Sequence, residues 1–363
     1  MSKITRVLVE VLETPVKLRY VAAGHAVESN WHVLARIDTD DGIQGLGFVV
    51  ANRGGLVKPL AQASQELGQL LVGMDALDIE AARAKLERAG GWVGPGGMVS
   101  MAIAPLDIAL WDAKGKLFSQ PLYRLLGGYR DRIRAYASDA MWYSMPKDQL
   151  ARSAQYHVSQ GYKMLKLRLG HEAKPAGEVE RVRVVQEAAG DGVQVMVDAT
   201  ESWNEVQAIA NGRALQDAGI VWLEDPVSHQ NLAGLAQLAR NLDIPIAAGE
   251  HLYGLDPFQK TFDARAVDIA IIDLARAGGI TPWMKVAALA QARGVPVCGH
   301  VVPEIHVHLL SAIPNGHLVE FMPRSEPIFK TRLKLEDGHL LAPQGPGLGV
   351  ELDEAAVEQY RVG

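Results

Sequence analysis

The stretch that decides the fold is VQVMVDATESWNEVQAIANGRALQDAGIVWLEDPVSHQNLAGLAQLARNLDIPIAAGE, residues 193–250. Three short apolar runs, VQVMVD, IVWLE and IPIAAGE, alternate in it with Ala-rich segments of helical spacing such as 204–217. Apolar runs without polar alternation are typical of strands buried on both faces, and strands that alternate with helices form parallel sheets. The stretch therefore predicts consecutive β/α units.

Units of the same kind extend in both directions from this stretch, beginning at about residue 133. The further strand candidates are RAYAS, KMLKLRL, VDIAIIDL, VPVCGH and HLVEFM, and further helix candidates are 148–160 and 282–293. Eight strands in roughly 190 residues predict a closed α/β barrel of the TIM type over 131–323, with an open doubly wound sheet as the alternative. No GxGxxG motif follows a strand, which disfavours a dinucleotide-binding fold.

Residues 1–130 have a different pattern and predict a separate α+β domain. Strands are expected over 5–16 and 30–50 with a turn at Asp40-Asp41-Gly42, and the segment 17–30 is expected to be a loop. Helical spacing follows over 56–90 and 99–126. The polar, Gly- and Pro-rich tail, 324–363, is expected to pack back on this domain.

The composition excludes several classes of protein. Hydrophobic residues make up 48% and charged residues 21%, so the chain can bury a large core, and the net charge of −6 argues against nucleic-acid binding. The single cysteine, Cys298, cannot form an internal disulfide. The N-terminus does not resemble a signal peptide, and no uncharged run reaches roughly 18 residues, so we expect a cytoplasmic protein without membrane spans.

Nearly every strand candidate ends on an ionisable residue. These residues are Lys166, Arg168, Asp198, Glu224, Glu250, Asp273, His300 and Glu320. The C-terminal ends of all strands in a closed parallel barrel meet at one mouth, which carries the chemistry in TIM-type barrels. The sequence therefore predicts an active site at this mouth.

Three of these residues are carboxylates on consecutive strands. Asp198, Glu224 and Glu250 would lie close together and repel one another unless a cation neutralised them. An all-oxygen ligand set suits Mg²⁺ with positions open for substrate oxygens. The alternative is that each acid caps the helix that follows its strand.

Lys166 and Arg168 are two residues apart on one strand, so both side chains are expected to point into the barrel with Met164. Lys166 would be either a base with a depressed pKa or a cation that neutralises a substrate carboxylate. Arg168 would be a poor base but a good clamp for oxygens. The alternative is an exposed pair on a surface strand.

Asp273 and His300 end neighbouring strands and predict a proton-transfer pair, because a carboxylate on one ring nitrogen leaves the other free to move a proton. Glu320 is placed near His300. It would bind a substrate carboxylate if protonated, or pair with a lysine or arginine if ionised.

The motifs together resemble the enolase superfamily and, within it, the mandelate racemase subgroup. They are SMAIAPLDIALWDAKGKLFSQPLYRLLGG (100–128), GYKMLKLRLG (161–170), VMVDAT (195–200), WLEDP (222–226), AAGE (247–250), IDLARAGGIT (272–281), CGH (298–300) and HLVE (317–320). The resemblance implies a (β/α)7β barrel with an N-terminal capping domain and a homo-oligomeric assembly. It also implies Mg²⁺ on the three strand-end carboxylates.

The resemblance further implies roles for the remaining strand-end residues. Asp273 and His300 would act as general base or acid, Glu320 would bind the substrate carboxylate, and Lys166 would help to stabilise an enediolate. Arg168 departs from the pattern, because mandelate racemase has lysine there as a second base. We therefore expect dehydration of an acid sugar or hydroxy acid to a 2-keto-3-deoxy acid. The alternatives are a racemase or epimerase, and a barrel without catalytic activity.

Substrate specificity in such proteins depends on loops of the capping domain, here roughly 16–30 and 50–56. Tyr20, His25 and Arg53 are the candidates from these loops, and Trp142 and His251 are weaker candidates from the barrel. Each is otherwise an ordinary surface or packing residue. The polar set suits a small polyhydroxylated carboxylate as the binding partner.

Overall fold

A computed structural model describes residues 2–22, 24–51 and 54–362 of the chain. The N-terminal part begins with an antiparallel sheet of three strands in the order β1-β2-β3, and four helices follow it. The elements are β1 (Ile4–Ala22), β2 (His25–Thr39), β3 (Gln44–Ala51), α1 (Val57–Gln69), α2 (Ile79–Gly90), α3 (Gly97–Leu117) and α4 (Leu122–Leu125).

The prediction of a loop over 17–30 is wrong, because β1 and β2 continue as a long hairpin. Tyr20 lies opposite Val27 and Ala22 lies opposite His25. Tyr20 and Val27 are both buried. Their burial adds apolar contact to a segment whose glycine and polar residues suggested a loop, so tertiary packing outweighed the local signal.

Helix α3 joins the N-terminal sheet to the rest of the molecule. It packs on β3 so closely that a Cβ at Gly47 would lie 1.9 Å from the Pro105 carbonyl oxygen. On its other side, Trp111 Nε1 donates to Thr281 Oγ1 at 2.9 Å, and Asp107 accepts from the Thr281 backbone at 2.9 Å. This helix therefore fixes the small domain on the barrel.

Eight parallel strands form the barrel. They are β4 (Arg132–Ala137), β5 (Met164–Arg168), β6 (Gln194–Asp198), β7 (Leu223–Glu224), β8 (Ile246–Ala248), β9 (Ile269–Asp273), β10 (Val297–His300) and β11 (Gly316–Phe321). The strands pair in chain order, and β11 pairs with β4, which closes the sheet. The prediction of a closed barrel is confirmed, and the open doubly wound alternative is wrong.

Helices follow each of the first seven barrel strands, as in a (β/α)7β barrel. They are α5 (Lys147–Ser159), α6 (Pro175–Ala189), α7 (Glu205–Asp217), α8 (Leu232–Asn241), α9 (Leu255–Asp263), α10 (Leu274–Ala277), α11 (Ile280–Gln291) and α12 (Pro303–Ala312). Inside the barrel a separate apolar cluster, which includes Tyr136, Met164, Met196 and Trp222, fills the space below the mouth. The barrel is thus a packed core with polar side chains above it.

The C-terminal segment returns to both parts of the molecule. Strands β12 (Leu335–Glu336) and β13 (His339–Leu341) form a hairpin, and β13 pairs antiparallel with the first half of β4. After α13 (Glu354–Tyr360), the Val362 backbone donates to the Val11 carbonyl oxygen of β1 at 2.8 Å. Among the described helices, none combines the length and the apolar character that a bilayer crossing requires.

Candidate active site

The three predicted metal-binding carboxylates lie at neighbouring strand ends. Asp198 is opposite Glu224 in the β6–β7 register, and Glu250 follows two residues after the end of β8. Asp198 and Glu224 are buried, and the Glu250 side chain is 14% exposed. The capping alternative is wrong, because the residues that precede α7, α8 and α9 are Asn204, Asn231 and Gly254.

These carboxylates repel one another in a site shielded from water. Burial raises the pKa of Asp198 and raises that of Glu224 to about 8, and each is raised further by the charge of Glu250. Burial also acts to raise the pKa of Glu250, but His300 and His251 lower it to about 2. A set of oxygen donors with this excess of negative charge fits a hard divalent cation such as Mg²⁺.

Lys166 is fully buried among carboxylates. Its Nζ lies 2.6 Å from Glu224 Oε1 and 3.0 Å from Glu320 Oε1. Burial acts to lower the pKa of Lys166, but the two glutamates outweigh that effect and raise it above its usual value. These contacts favour the interpretation of Lys166 as a buried cation over that of a base with a depressed pKa, and its part in proton transfer stays a prediction.

Arg168 is also buried, which excludes the exposed surface pair. Its Nη1 donates to the Ser138 carbonyl oxygen at 2.7 Å, and its Nη2 donates to Ser138 Oγ at 2.8 Å. Nη2 lies 3.4 Å from Glu320 Oε1, and Nε lies 3.5 Å from Asp198 Oδ2. The guanidinium is therefore held as a fixed cation on the inner face of the mouth.

Two aromatic rings cover the outer face of this guanidinium. Arg168 Cζ lies 3.9 Å from the centre of the Trp142 ring, and Trp142 stacks on Tyr20 with ring centres 4.0 Å apart. The Tyr20 hydroxyl is 3.4 Å from Arg324 Nη2, and the Val21 backbone donates to Ser144 Oγ at 3.2 Å. The β1–β2 hairpin is thus fixed at the barrel mouth through a three-layer stack.

Asp273 and His300 form the hydrogen-bonded pair that their positions predict. His300 Nδ1 donates to Asp273 Oδ2 at 2.6 Å, and Asp273 Oδ1 accepts from the Arg276 backbone at 2.7 Å. Burial acts to raise the pKa of Asp273, but the hydrogen bond from His300 lowers it to about 2. The second ring nitrogen, His300 Nε2, is 3.3 Å from Glu250 Oε2 and so faces the carboxylates.

Glu320 lies in β11 and is completely buried. Its Oε2 accepts from the Val301 backbone at 2.8 Å, and its Oε1 faces Lys166 and Arg168. Burial acts to raise the pKa of Glu320, but Lys166, His300 and Arg168 hold it well below the usual range. The Glu320 carboxylate therefore lies at ion-pairing distance from Lys166 and Arg168, which favours the second of its two predicted roles, and its binding of a substrate carboxylate stays a prediction.

Only some of the residues predicted to bind substrate lie at the barrel mouth. Tyr20 and Trp142 reach the site through the stack, and His251 lies beside Glu250, with Nε2 3.6 Å from Oε1. His25 is exposed at the hairpin turn. Arg53 lies outside the described residues, so its role stays a prediction.

The sequence interpretation missed several residues at the mouth. Ser138 binds Arg168, and Arg276 donates to the Glu250 carbonyl oxygen at 2.8 Å. Asp225, Glu201 and His229 lie around His251. Asp225 could have been predicted as a site residue, because it directly follows the strand-end acid Glu224. Ser138, Glu201, His229 and Arg276 lie one to five residues beyond their strand ends without such a signal, and their contacts depend on the loop conformation.

The chain belongs to the mandelate racemase / muconate lactonizing enzyme family of the enolase superfamily. Residues 3–127 match the family's N-terminal domain, and residues 149–356 match the enolase C-terminal domain-like family. Within this family the chain is similar to several named enzymes.

One relative is the L-talarate/galactarate dehydratase of Salmonella typhimurium, 36% identical over 89% of this chain and 81% of that protein. The crystal structure of L-talarate dehydratase from Polaromonas sp. JS666, complexed with Mg and L-glucarate, has a TM-score of 0.92 and 33% identity and covers 100% of this chain and 98% of its own. An L-Ala-D/L-Glu epimerase from Clostridium acetobutylicum is 28% identical over 94% of this chain and 96% of that protein. Relatives thus include hydro-lyases and isomerases, with magnesium bound in a neighbouring structure.

Proposed function

We propose that the chain dehydrates an acid sugar to a 2-keto-3-deoxy acid. The observation that carries this proposal is Arg168, which occupies the position of a second base and is held by Ser138, Glu320 and Trp142. A guanidinium does not lose its proton at ordinary pH, so it supplies a charge and no base. Dehydration requires one acid–base group, whereas racemisation requires one on each face of the carbanion.

Asp198, Glu224 and Glu250 would hold Mg²⁺ at the mouth. Bound there, the ion would polarise the substrate carboxylate and make the α-proton easier to remove. Lys166 and Arg168 place two fixed positive charges beside the same region, where they would stabilise negative charge that develops on the carboxylate oxygens.

His300 would carry the proton in this proposal. Its Nδ1 is engaged by Asp273, so Nε2 is the atom that takes the α-proton. The resulting imidazolium would then give the proton to the departing β-hydroxyl, which leaves as water. The enol product becomes the 2-keto acid by tautomerisation.

A screen of mono- and diacid sugars with purified protein and Mg²⁺ tests the proposal, with 2-keto acids detected as semicarbazones. We expect a product that disappears with EDTA and in His300→Asn but persists in His339→Asn, a control on β13 away from the mouth. Activity that survives in His300→Asn would contradict the assigned role. A blank screen with every acid sugar would contradict the substrate class.

Epimerisation is the second candidate, because one relative is an epimerase and Lys166 lies three strands from His300 around the closed barrel. Deuterium exchange separates the two functions. An epimerase incorporates deuterium at the α-carbon of recovered substrate, whereas a dehydratase accumulates keto acid. A barrel without catalytic activity would do neither and would be insensitive to His300→Asn.

A further inference from the structure

Three side chains beside the carboxylate set belong to the loops that follow it. Glu201 lies in the loop after β6, His229 in the loop after β7 and His251 in the loop after β8. One carboxylate oxygen and one nitrogen from each ring all lie within 4.8 Å of one another. Three successive loops thus converge on one point at the outer side of the mouth.

The hydrogen bonding of this cluster is incomplete. His229 Nδ1 is 2.7 Å from Glu201 Oε1, and the His229 and His251 rings are stacked with centres 5.3 Å apart. His251 Nε2 is 3.6 Å from both Asp225 Oδ2 and Glu250 Oε1, too far for a hydrogen bond. Among the described residues, the His251 ring has two carboxylates nearby and a hydrogen bond to neither.

The cluster is accessible without being fully exposed. The side chains of Glu201, His229 and His251 retain 22%, 30% and 26% of their exposure. An ion could therefore reach the three ligand atoms from solvent. Because the position is partly enclosed, fewer water molecules could remain bound to that ion. A lone surface histidine has no such convergence.

We propose that Glu201, His229 and His251 form a second cation site, selective for a borderline transition metal such as Zn²⁺ over Mg²⁺. Imidazole nitrogen is a preferred ligand of zinc, cobalt and nickel, whereas magnesium prefers oxygen and water. Ligand atoms around one tetrahedral zinc ion lie about 3.4 Å apart, given metal–ligand bonds of about 2.1 Å. Side-chain rotations would close the gap from 4.8 Å.

The second site shares no ligand with the magnesium set of Asp198, Glu224 and Glu250. Both ions could therefore be bound at once, one on oxygen ligands inside the mouth and one on mixed ligands at its outer side. The proposal does not depend on the dehydratase assignment, because it concerns binding and not turnover.

The test is equilibrium dialysis of the purified chain with Zn²⁺ in saturating Mg²⁺, with zinc counted by elemental analysis. We expect one zinc per chain. His229→Ala and His251→Ala should each weaken zinc binding by about a hundredfold or more, since loss of an outer partner alone typically costs 10–100-fold. Cobalt in place of zinc should give a visible absorption band that the same two variants lose.

Two controls make the outcome unambiguous. Glu224→Gln removes a magnesium carboxylate and should leave the zinc stoichiometry unchanged, and His171→Ala removes a histidine from another loop and should also leave it unchanged. Circular dichroism checks that each variant is folded. Failure of the wild-type chain to bind zinc in saturating Mg²⁺ overturns the proposal. Undiminished zinc binding in folded His229→Ala also overturns it, and would place the zinc on Asp225, Glu250 and His251 instead.

Discussion

In the proposed function, the side chain at position 168 determines whether the enzyme dehydrates or racemises its substrate. Its fork contacts Ser138 and Glu320, and no lysine can reproduce both contacts. We expect Arg168→Lys to lower kcat/KM for dehydration by about a hundredfold, equivalent to about 2.7 kcal/mol. The new amine should also permit α-proton exchange with solvent, measured as deuterium incorporation by NMR.

Arg134→Lys, on the exposed side of β4, is the matched control and should behave as the wild type. Unchanged dehydration by Arg168→Lys would show that the fork geometry is not needed.

Glu304, at the start of α12, is a second residue with a measurable consequence. It is buried, its Oε2 has no hydrogen-bond partner among the described residues, and burial raises its pKa to about 7. Between its ordinary pKa of 4.5 and about 7, the unfolded chain loses this proton and the folded chain keeps it. The free energy of unfolding therefore falls as pH rises through this window.

We expect Glu304→Gln to be more stable than the wild type above pH 7 by an amount on the order of 3 kcal/mol, and to show no gain near pH 4. Denaturant unfolding at both pH values measures the difference. Glu187→Gln, an exposed glutamate on α6, should give no such pH-dependent gain. A gain of equal size at both pH values would point to a cause other than ionisation.

The location of a site residue was most predictable where that residue ends a strand. The acids Asp198, Glu224 and Asp273 each end an apolar run, so position alone placed them at the mouth. The charge state of Lys166 was not predictable, because it depends on how close the Glu224 and Glu320 carboxylates lie in the folded barrel. The same holds for Glu320.

At the scale of elements, the three neighbouring strand ends of β6, β7 and β8 predict a metal-dependent stability. A cation that binds only the folded chain stabilises it by about 2.7 kcal/mol at a hundredfold excess over its Kd. We expect Mg²⁺ to raise the melting temperature of the wild type measurably and EDTA to reverse the rise.

Asp198→Asn should abolish this magnesium-dependent rise, and its metal-free form should melt no lower than the metal-free wild type, because one source of repulsion is gone. Asp243→Asn, an exposed acid at the opposite end of β8, should respond to Mg²⁺ as the wild type does. Scanning calorimetry with and without Mg²⁺ would decide the point, and a full magnesium response in Asp198→Asn would count against this ligand.

The β1–β2 hairpin carries the second prediction at this scale. Trp142 lies between Tyr20 and Arg168, so Trp142→Leu removes the ring that stacks on Tyr20 and contacts the Arg168 guanidinium. We expect a loss of about 2–3 kcal/mol in stability, and a fall in kcat/KM of more than tenfold because the guanidinium loses its outer contact. Chemical denaturation and steady-state kinetics measure the two effects.

Tyr20→Phe keeps the stacked ring and loses only the hydroxyl, so it should remain close to the wild type in both measurements. A Trp142→Leu variant with wild-type kinetics would mean that the stack does not position Arg168. The hairpin itself escaped sequence prediction because its pairing is stabilised by contacts with the barrel, which no local pattern records.

At the scale of the whole molecule, exposed apolar side chains support the prediction of a homo-oligomer. Trp92 is 96% exposed and Val93 is 77% exposed, both in the glycine-rich connector before α3. Adjacent large apolar residues on a surface are typical of contact sites. We expect light scattering to give a multiple of the 39.3 kDa chain mass.

Trp92→Ser should shift that assembly toward smaller species, whereas Tyr129→Ser, an exposed aromatic elsewhere, should not. A mass of one chain for the wild type at all concentrations would contradict the prediction.

The overall architecture was the most predictable level, because the alternation of apolar runs and Ala-rich segments repeats eight times. Closure of the sheet was predictable from that count. The placement of the C-terminal hairpin on β4 was not, because β12 and β13 are only two and three residues long and carry little signal of their own.

That return of the C-terminal segment has a consequence for how such chains can recombine. Because β13 pairs with the barrel strand β4 and the Val362 backbone donates to the Val11 carbonyl oxygen of β1, the two ends of the polypeptide form one structural unit although they are far apart in the sequence. A chimera that exchanges substrate specificity between two relatives must therefore take residues 1–137, which include β4, and the last forty residues from the same parent, with both crossovers inside the barrel.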